Sequence, residues 1–184
     1  MTTPMQVTSS KLRVPVTDTD HVRGPAQAPV TLVEYADLQC PYCGQAYHRL
    51  HELLRQRPET VRLVFRHFPL SNVHPYAELA AETVEAAGVR DQFWAMHDWV
   101  FEHQDQLDPV HLSMGCQQLG LPEDEVNDEV NRHVHADRIR RDFVGGIRSG
   151  VNGTPTFFVN GVRHDGSYEL PELLATVDQA AASG

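Results

Sequence analysis

The sequence predicts an α/β fold with a long helical insertion, and three observations support this prediction. An apolar run, VTLVEYA at 30–36, is followed by an amphipathic helical pattern and then by a second apolar run at 61–70. Between Pro75 and Gly150 the periodicity is helical throughout. Strand character returns at 154–166, in TPTFFVNGVRHDG. Runs rich in β-branched and aromatic residues between turn signals favour buried strands, so a strand-helix-strand unit precedes the insertion and a strand pair follows it.

The first helix is expected to follow its strand directly and to end at Pro58. One face collects apolar residues at three- and four-residue steps, which is typical of a helix packed on a sheet: Cys43, Ala46, Tyr47, Leu50, Leu53 and Leu54. Two strands joined by such a helix should be parallel, with a right-handed connection.

The insertion should contain about four helices, because four stretches have helical periodicity and Gly or Pro separates them. After it, Asn160-Gly161 between two apolar or β-branched runs predicts a hairpin with a type I′ turn. ELPELLATVDQAA then predicts a closing helix. The expected organisation is an N-terminal arm at 1–28 with one short edge strand at 12–16, a domain formed by 29–74 and 150–184, and a helical insertion at 75–149.

The composition limits the classes of partner. The 184 residues have a formal net charge of -10, which argues against nucleic acid and against an anionic membrane, because phosphate binding depends on clustered Lys and Arg. The N-terminus lacks an apolar segment of signal-peptide length, and no run approaches the length of a membrane helix. We therefore expect a soluble, cytoplasmic protein.

The main chemical motif is Cys40-Pro41-Tyr42-Cys43, placed between a predicted strand and a predicted helix. The partial positive charge of a helix N-terminus stabilises an anion there, and thiols in such positions have pKa values of roughly 3.5–7.5. Cys40 is thus the expected nucleophile. Cys43, one turn later and facing inward, is close enough to form a disulfide with it, and Pro41 suits the first helical turn.

Zinc binding is the alternative for a Cys-x-x-Cys pair. A structural zinc site needs four ligands, whereas this chain has one such pair and a lone Cys116. Some of the 11 histidines could supply the other ligands, but the strand-to-helix turn that holds the pair leaves little room for a four-ligand site. A Cys-x-x-Cys beside a β-α-β pattern in an intracellular chain favours redox chemistry over metal binding.

CPYC after LVEYADLQ, the long helical insertion, and GTPTFFVNG near the C-terminus resemble the DsbA-like branch of the thioredoxin superfamily over roughly 28–182. The openings HVRGP and APVTLVEY are also similar to the thioredoxin-like domains fused to some sodium/proton antiporters. The resemblance implies a thioredoxin fold and a thiol-disulfide oxidoreductase.

The resemblance also implies roles for individual residues. Cys40 would be the nucleophile, Cys43 the resolving thiol, and Glu34 the acid/base group acting on Cys43 beneath the disulfide. Pro155 would be a cis-proline packed against the dithiol, and Thr154 would bind an extended substrate as an added strand. The substrate-binding set would comprise Pro41, Tyr42, Thr154 and Pro155.

Other polar and sulfur residues have weaker signals. Asp37 should position the turn before Cys40. His67 and His74 follow the second strand and either line the active-site rim or are structural, while Cys116 on an amphipathic helix is expected to be a buried small hydrophobe.

The expected function is disulfide exchange with protein or peptide thiols and disulfides, using no cofactor besides the redox-active Cys40–Cys43 pair and recycled by an unidentified electron donor or acceptor. The direction stays open, although a reducing cytoplasm favours reduction, isomerisation or repair. A redox-sensing, peptide-binding module without turnover is the alternative.

Overall fold

The computed structural model describes residues 10–184 and contains a five-stranded mixed sheet in the order β1-β3-β2-β4-β5. The strands are β1 His21–Arg23, β2 Val30–Ala36, β3 Val61–His67, β4 Thr156–Val159 and β5 Val162–His164. β2 and β3 are parallel, as the sequence predicted, and the remaining neighbours are antiparallel.

Seven helices accompany the sheet in the described part of the chain: α1 Pro41–Gln56, α2 Ala77–Gly88, α3 Phe93–Glu102, α4 Pro109–Gln118, α5 Glu123–Asn131, α6 Ala136–Arg148 and α7 Leu170–Ala182. The helices from α2 to α6 lie between β3 and β4 in the sequence. The mixed α/β class and the thioredoxin-like arrangement of the sheet agree with the sequence prediction, whereas the domain boundaries proposed above stay a prediction.

The insertion contains five helices in the described chain, so the expectation of about four was wrong. The stretch expected to be one helix near its end is divided into α5 and α6 without Gly or Pro at the break. His133 instead adopts a left-handed backbone, with φ of 53°. Its Nδ1 atom lies 2.6 Å from Oε1 of the buried Glu82. The break between α5 and α6 thus coincides with a tertiary contact between His133 and Glu82, which residue propensities do not reveal.

The N-terminal arm also differs from expectation, because its edge strand is β1 at His21–Arg23 rather than residues 12–16. Pro15 has no N–H for a ladder. The guanidinium of Arg66 donates to the carbonyl oxygens of Val14 and Pro15 at 2.8 and 3.0 Å, so these groups are satisfied by a side chain. An isolated bridge joins Lys11 to Val162. Of the arm, residues 1–9 lie outside the described part.

β2 is buried on both faces, which explains its continuous apolar sequence. Val30 and Leu32 pack with α1 and α7 on one face, while Val33 and Tyr35 belong to the cluster on the other face. Because side chains alternate along a strand, Glu34 points to the same face as Leu32, toward α1. The fold thus directs a carboxyl group beneath the helix that carries the cysteines.

The predicted hairpin turn joins β4 to β5. Asn160 and Gly161 both have positive φ, at 46° and 82°, as a type I′ turn requires. The Asn160 side chain also accepts a hydrogen bond from the Thr31 backbone N–H at 2.8 Å, which ties the turn to β2.

Candidate active site

Cys40 is the N-cap residue of α1, with an extended backbone followed by Pro41 in the first helical turn. Its carbonyl accepts the Gly44 N–H at 3.1 Å, and its own N–H donates to the Asp37 carbonyl at 3.1 Å. A tight turn after β2 therefore places the Cys40 sulfur over the free N–H groups of the helix. Such a position stabilises an anion.

The pKa of the Cys40 thiol is lowered to about 5, chiefly by a hydrogen bond from the Cys43 thiol. Thr154 and the backbone N–H groups of Cys43 and Tyr42 lower it further, while burial opposes the shift. The residue is only 4 % exposed. At neutral pH Cys40 is thus a thiolate that is almost completely buried.

Cys43 lies fully buried in the next turn, and its chemistry is the opposite of that of Cys40. Burial, then the hydrogen bond to Cys40 and the charge of Glu34, raise the pKa of its thiol well above the ordinary value. The Asp37 N–H donates to its Sγ at 3.5 Å. The pair therefore consists of one ionised and one protonated thiol.

Glu34 is a buried carboxylic acid on the face of β2 that α1 covers. It is 2 % exposed, and its Oε1 atom has no hydrogen-bond partner among the described residues. Burial raises the pKa of the carboxyl to about 8. When ionised, Glu34 raises the pKa of the Cys43 thiol, so a group that holds a proton near neutral pH lies near the buried thiol.

The Thr154–Pro155 segment lies beside the two cysteines. Register explains this: β4 is antiparallel to β2 with Thr156 opposite Tyr35, so Thr154 comes level with the turn that follows β2. Cys40 Sγ lies 3.6 Å from the Thr154 carbonyl oxygen, to which the thiol donates when it is protonated. The peptide bond between Thr154 and Pro155 is cis. The Thr154 hydroxyl is buried, and the Thr154 side chain contributes to the lowered pKa of Cys40.

Asp37 holds the turn, as the sequence suggested. Its carboxylate accepts the backbone N–H groups of Gln39 and Leu70, each at 2.8 Å, and lies 2.7 Å from His74 Nδ1. His74 therefore belongs to the support of the site. His67 does not: its Nε2 lies 2.9 Å from Glu85 Oε1, inside the protein.

Gln104, in the loop after α3, was not found from the sequence. Its Nε2 donates to the carbonyl oxygens of Leu38 and Cys40, at 2.8 and 3.0 Å. One amide of the helical insertion thereby fixes both ends of the turn that carries the nucleophile. Nothing in the local sequence marks this loop glutamine, which lies more than 60 residues from its partners along the chain.

Cys116 lies in the core of the helical insertion and is fully buried, in agreement with a role as a small hydrophobe. Within residues 10–184, no group of three or more His, Cys, Asp or Glu side chains is arranged to hold a metal ion. In the same part of the chain, no helix combines the length and apolar character needed to cross a membrane.

Sequence comparison places most of the chain in one family. The profile described as thioredoxin matches residues 16–179. The Na⁺/H⁺ antiporter NhaA 3 of Salinispora tropica is 50 % identical over 173 residues, which cover 94 % of this chain and 26 % of the antiporter. NhaA 1 of Mycolicibacterium vanbaalenii is 35 % identical over 180 residues, covering 95 % and 29 %. The chain thus spans about a quarter of the length of these relatives.

Solved structures share the fold. BdbD from Bacillus subtilis in its oxidised form superposes with a TM-score of 0.83 at 20 % identity, covering 95 % of this chain and 97 % of BdbD. A thioredoxin-like oxidoreductase from Silicibacter pomeroyi gives 0.81 at 25 % identity, covering 91 % and 95 %. Wolbachia pipientis alpha-DsbA1 gives 0.80 at 24 %, covering 94 % and 95 %. The resemblance drawn from the sequence motifs is confirmed, and the chain belongs to the thioredoxin family.

Proposed function

We propose that this chain is a thiol-disulfide oxidoreductase that exchanges disulfides with protein or peptide substrates through Cys40 and Cys43. The observation that supports this most strongly is the division of roles within the pair: Cys40 has a lowered pKa at the helix N-terminus, and Cys43 has a raised pKa beneath it. A thiolate is the attacking species in exchange, and a low-pKa thiol is also the better leaving group.

In the oxidising direction, a substrate thiolate attacks Cys40 of the Cys40–Cys43 disulfide and releases the Cys43 thiolate, which takes up a proton. A second substrate thiol loses its proton and attacks the mixed disulfide. The substrate disulfide forms, and Cys40 leaves as a thiolate. Two substrate thiols are oxidised while one enzyme disulfide is reduced, so the electrons balance. No cofactor other than the dithiol takes part.

Glu34 is the proposed acid/base group for Cys43. The buried Cys43 thiolate needs a proton on release and must lose one before it attacks, yet it has little contact with solvent. A carboxyl with a pKa near 8 exchanges protons at neutral pH. Its unpartnered oxygen is free to hydrogen-bond a bridging water.

The substrate is proposed to be an extended segment of protein. Thr154 would pair with its backbone, alongside Pro155, as an added strand. Pro41 and Tyr42 are exposed beside Cys40, and Tyr42 is 59 % exposed. Tyr76, whose N–H donates to the Gln39 side chain, extends this surface. In a protein with the antiporter relatives' organisation, this domain would exchange disulfides next to a transporter.

Oxidation is the proposed direction. A lowered Cys40 pKa stabilises the reduced enzyme at neutral pH, and a stable reduced form makes the disulfide a stronger oxidant. The sequence alone favoured reduction, because the expected compartment was a reducing cytoplasm. The local electrostatics favour oxidation instead.

The test is turnover on a reduced peptide with two cysteines, with glutathione disulfide to recycle the enzyme. Wild type should form the peptide disulfide catalytically, Cys40→Ser should have no activity, and Cys116→Ala, which removes a thiol distant from the site, should retain it. If wild type binds the peptide but shows no turnover with any thiol or disulfide donor, the chain is a redox sensor and the enzyme assignment is wrong.

A further inference from the structure

The ion pairs leave one surface of this acidic protein with unneutralised cations. Most arginines contact carboxylates: Arg23, Arg49, Arg55, Arg57, Arg66, Arg90, Arg132, Arg138 and Arg163. In the described chain, the cations without a carboxylate partner are Lys11, Arg13, Arg62, Arg140, Arg141 and Arg148. Residues 1–9 contain no Asp or Glu, so they add no carboxylate to that surface.

All of these cations except Arg62 lie on the outer side of α6 or on the segment beside it. Arg140, Arg141 and Arg148 are exposed on α6, and Val144 and Ile147 lie between them, 37 % and 54 % exposed. At 3.6 residues per turn these five positions share about one third of the helix circumference. The opposite side of α6 is buried and contacts the sheet.

Residues 11–14 extend the same surface. The Arg13 N–H donates to Ser149 Oγ at 3.0 Å, and Val14 packs against Gly145, where an added Cβ would lie 3.2 Å from Cγ2 of Val14. Lys11 and Arg13 are exposed. We name the five cations, with Val144 and Ile147, the basic face.

We propose that the basic face binds the surface of an anionic lipid bilayer. Two aliphatic side chains flanked by cations on one exposed helix stripe match a lipid interface, where headgroups carry negative charge and the acyl boundary accepts apolar side chains. Single-stranded nucleic acid is the poorer fit, because its binding uses aromatic stacking and the stripe has no aromatic residue.

The net charge of -10 does not oppose this binding at close range. At physiological ionic strength charges are screened beyond about 8 Å. A membrane in contact with α6 therefore interacts with the basic face, and the distant acidic surfaces contribute little. The exposed Asp137 lies within the stripe itself, so the basic face presents five cations and one carboxylate. Asp165 forms an ion pair with Arg163. The total charge predicted no anionic-membrane partner, but the unpaired cations of the described chain are concentrated on one face.

The experiment is co-sedimentation of the whole chain with vesicles of phosphatidylcholine alone or with about one third phosphatidylglycerol. Binding should require phosphatidylglycerol at about 50 mM salt and disappear at about 500 mM. Each cation near an anionic surface strengthens binding about fivefold, so a triple change of Arg140, Arg141 and Arg148 to Gln should weaken it at least tenfold.

The matched control changes Arg55, Arg57 and Arg132 to Gln, which removes the same charge from other surfaces and should leave vesicle binding nearly unchanged. Both variants should retain disulfide exchange, which shows that they are folded. A Val144→Ser, Ile147→Ser double variant should also bind vesicles more weakly. The proposal is wrong if phosphatidylglycerol does not increase vesicle binding by wild type, or if the control variant loses as much binding as the α6 variant. It is also wrong if polyglutamate binds the basic face as tightly as the anionic vesicles do.

Discussion

Cys40 Sγ lies 3.6 Å from the backbone carbonyl oxygen of Thr154, to which the thiol donates when it is protonated, although the two residues are 114 positions apart in the sequence. The contact joins the two halves of the thioredoxin fold across the whole helical insertion. Cys40 belongs to the turn after β2, and Thr154 precedes the strand that pairs with β2. Both the nucleophile and the proposed substrate-binding segment are therefore positioned by one strand pair.

The ionisation of Cys40 is the first prediction. Thiolate absorbance near 240 nm should titrate with a midpoint near pH 5 in the reduced protein, since the Cys43 thiol donates to the anion. Cys43→Ala removes that donor and should move the midpoint upward. Cys40→Ser should eliminate the transition. A wild-type midpoint near 8.5, the value of a free thiol, would contradict this account of the site.

Glu34 should make stability depend on pH. Its pKa is about 8 in the folded protein and about 4.5 unfolded. Since the folded value is raised, its favourable contribution is complete below pH 4.5 and is lost as pH rises through 8. Glu34→Gln should leave stability similar at pH 4.5 and increase it at pH 8.5, by at most about 5 kcal/mol at 1.36 kcal/mol per pKa unit.

Urea denaturation of reduced wild type and Glu34→Gln at both pH values measures this difference. The variant should also slow the step in which Cys43 attacks or is released, because the proton relay is lost. If Glu34→Gln changes the unfolding free energy by the same amount at both pH values, Glu34 is ionised in the folded state and this prediction is wrong.

Gln104 should affect the site from the helical insertion. Gln104→Ala removes two hydrogen bonds to the turn and leaves the buried Leu38 carbonyl unsatisfied, which should cost about 1–3 kcal/mol. A looser N-cap should also raise the Cys40 pKa. The neighbouring exposed Gln106→Ala is the control. If Gln104→Ala lowers stability but leaves the thiolate titration unchanged, the residue is structural only.

The hairpin turn gives a prediction about backbone conformation alone. An added Cβ at Gly161 meets no atom within 4 Å, but φ is +82°. Gly161→Ala should therefore destabilise the protein by about 1 kcal/mol. Gly153→Ala also adds a Cβ into open space, without a left-handed φ, and should be close to neutral. Thermal unfolding compares the two, and equal shifts would exclude a conformational origin.

Local patterns in the sequence predicted much of the fold. The apolar run of β2, the face of α1 and the Asn160-Gly161 turn are determined by residues close together in the chain. The Cys40 position is likewise predicted by a strand-to-helix boundary. Glu34, by contrast, was assigned its role through the resemblance to the DsbA-like branch.

What the sequence could not predict depends on contacts distant in the chain. At the α5–α6 break, His133 contacts Glu82. Residues 12–16 do not form the expected edge strand, because Arg66 binds the carbonyls of Val14 and Pro15. Gln104 of the helical insertion donates a hydrogen bond to the Cys40 carbonyl. Side-chain contacts of this kind leave no periodic signal.

The redox potential of the Cys40–Cys43 pair tests the central claim most directly. The protein should be equilibrated in glutathione buffers, quenched with an alkylating agent and analysed by mass spectrometry. We predict a two-electron transition confined to Cys40 and Cys43, with Cys116 reduced throughout, at a potential between about -180 and -120 mV. A potential near -270 mV would contradict the oxidising direction, and the absence of any Cys40–Cys43 disulfide would contradict the proposed function itself.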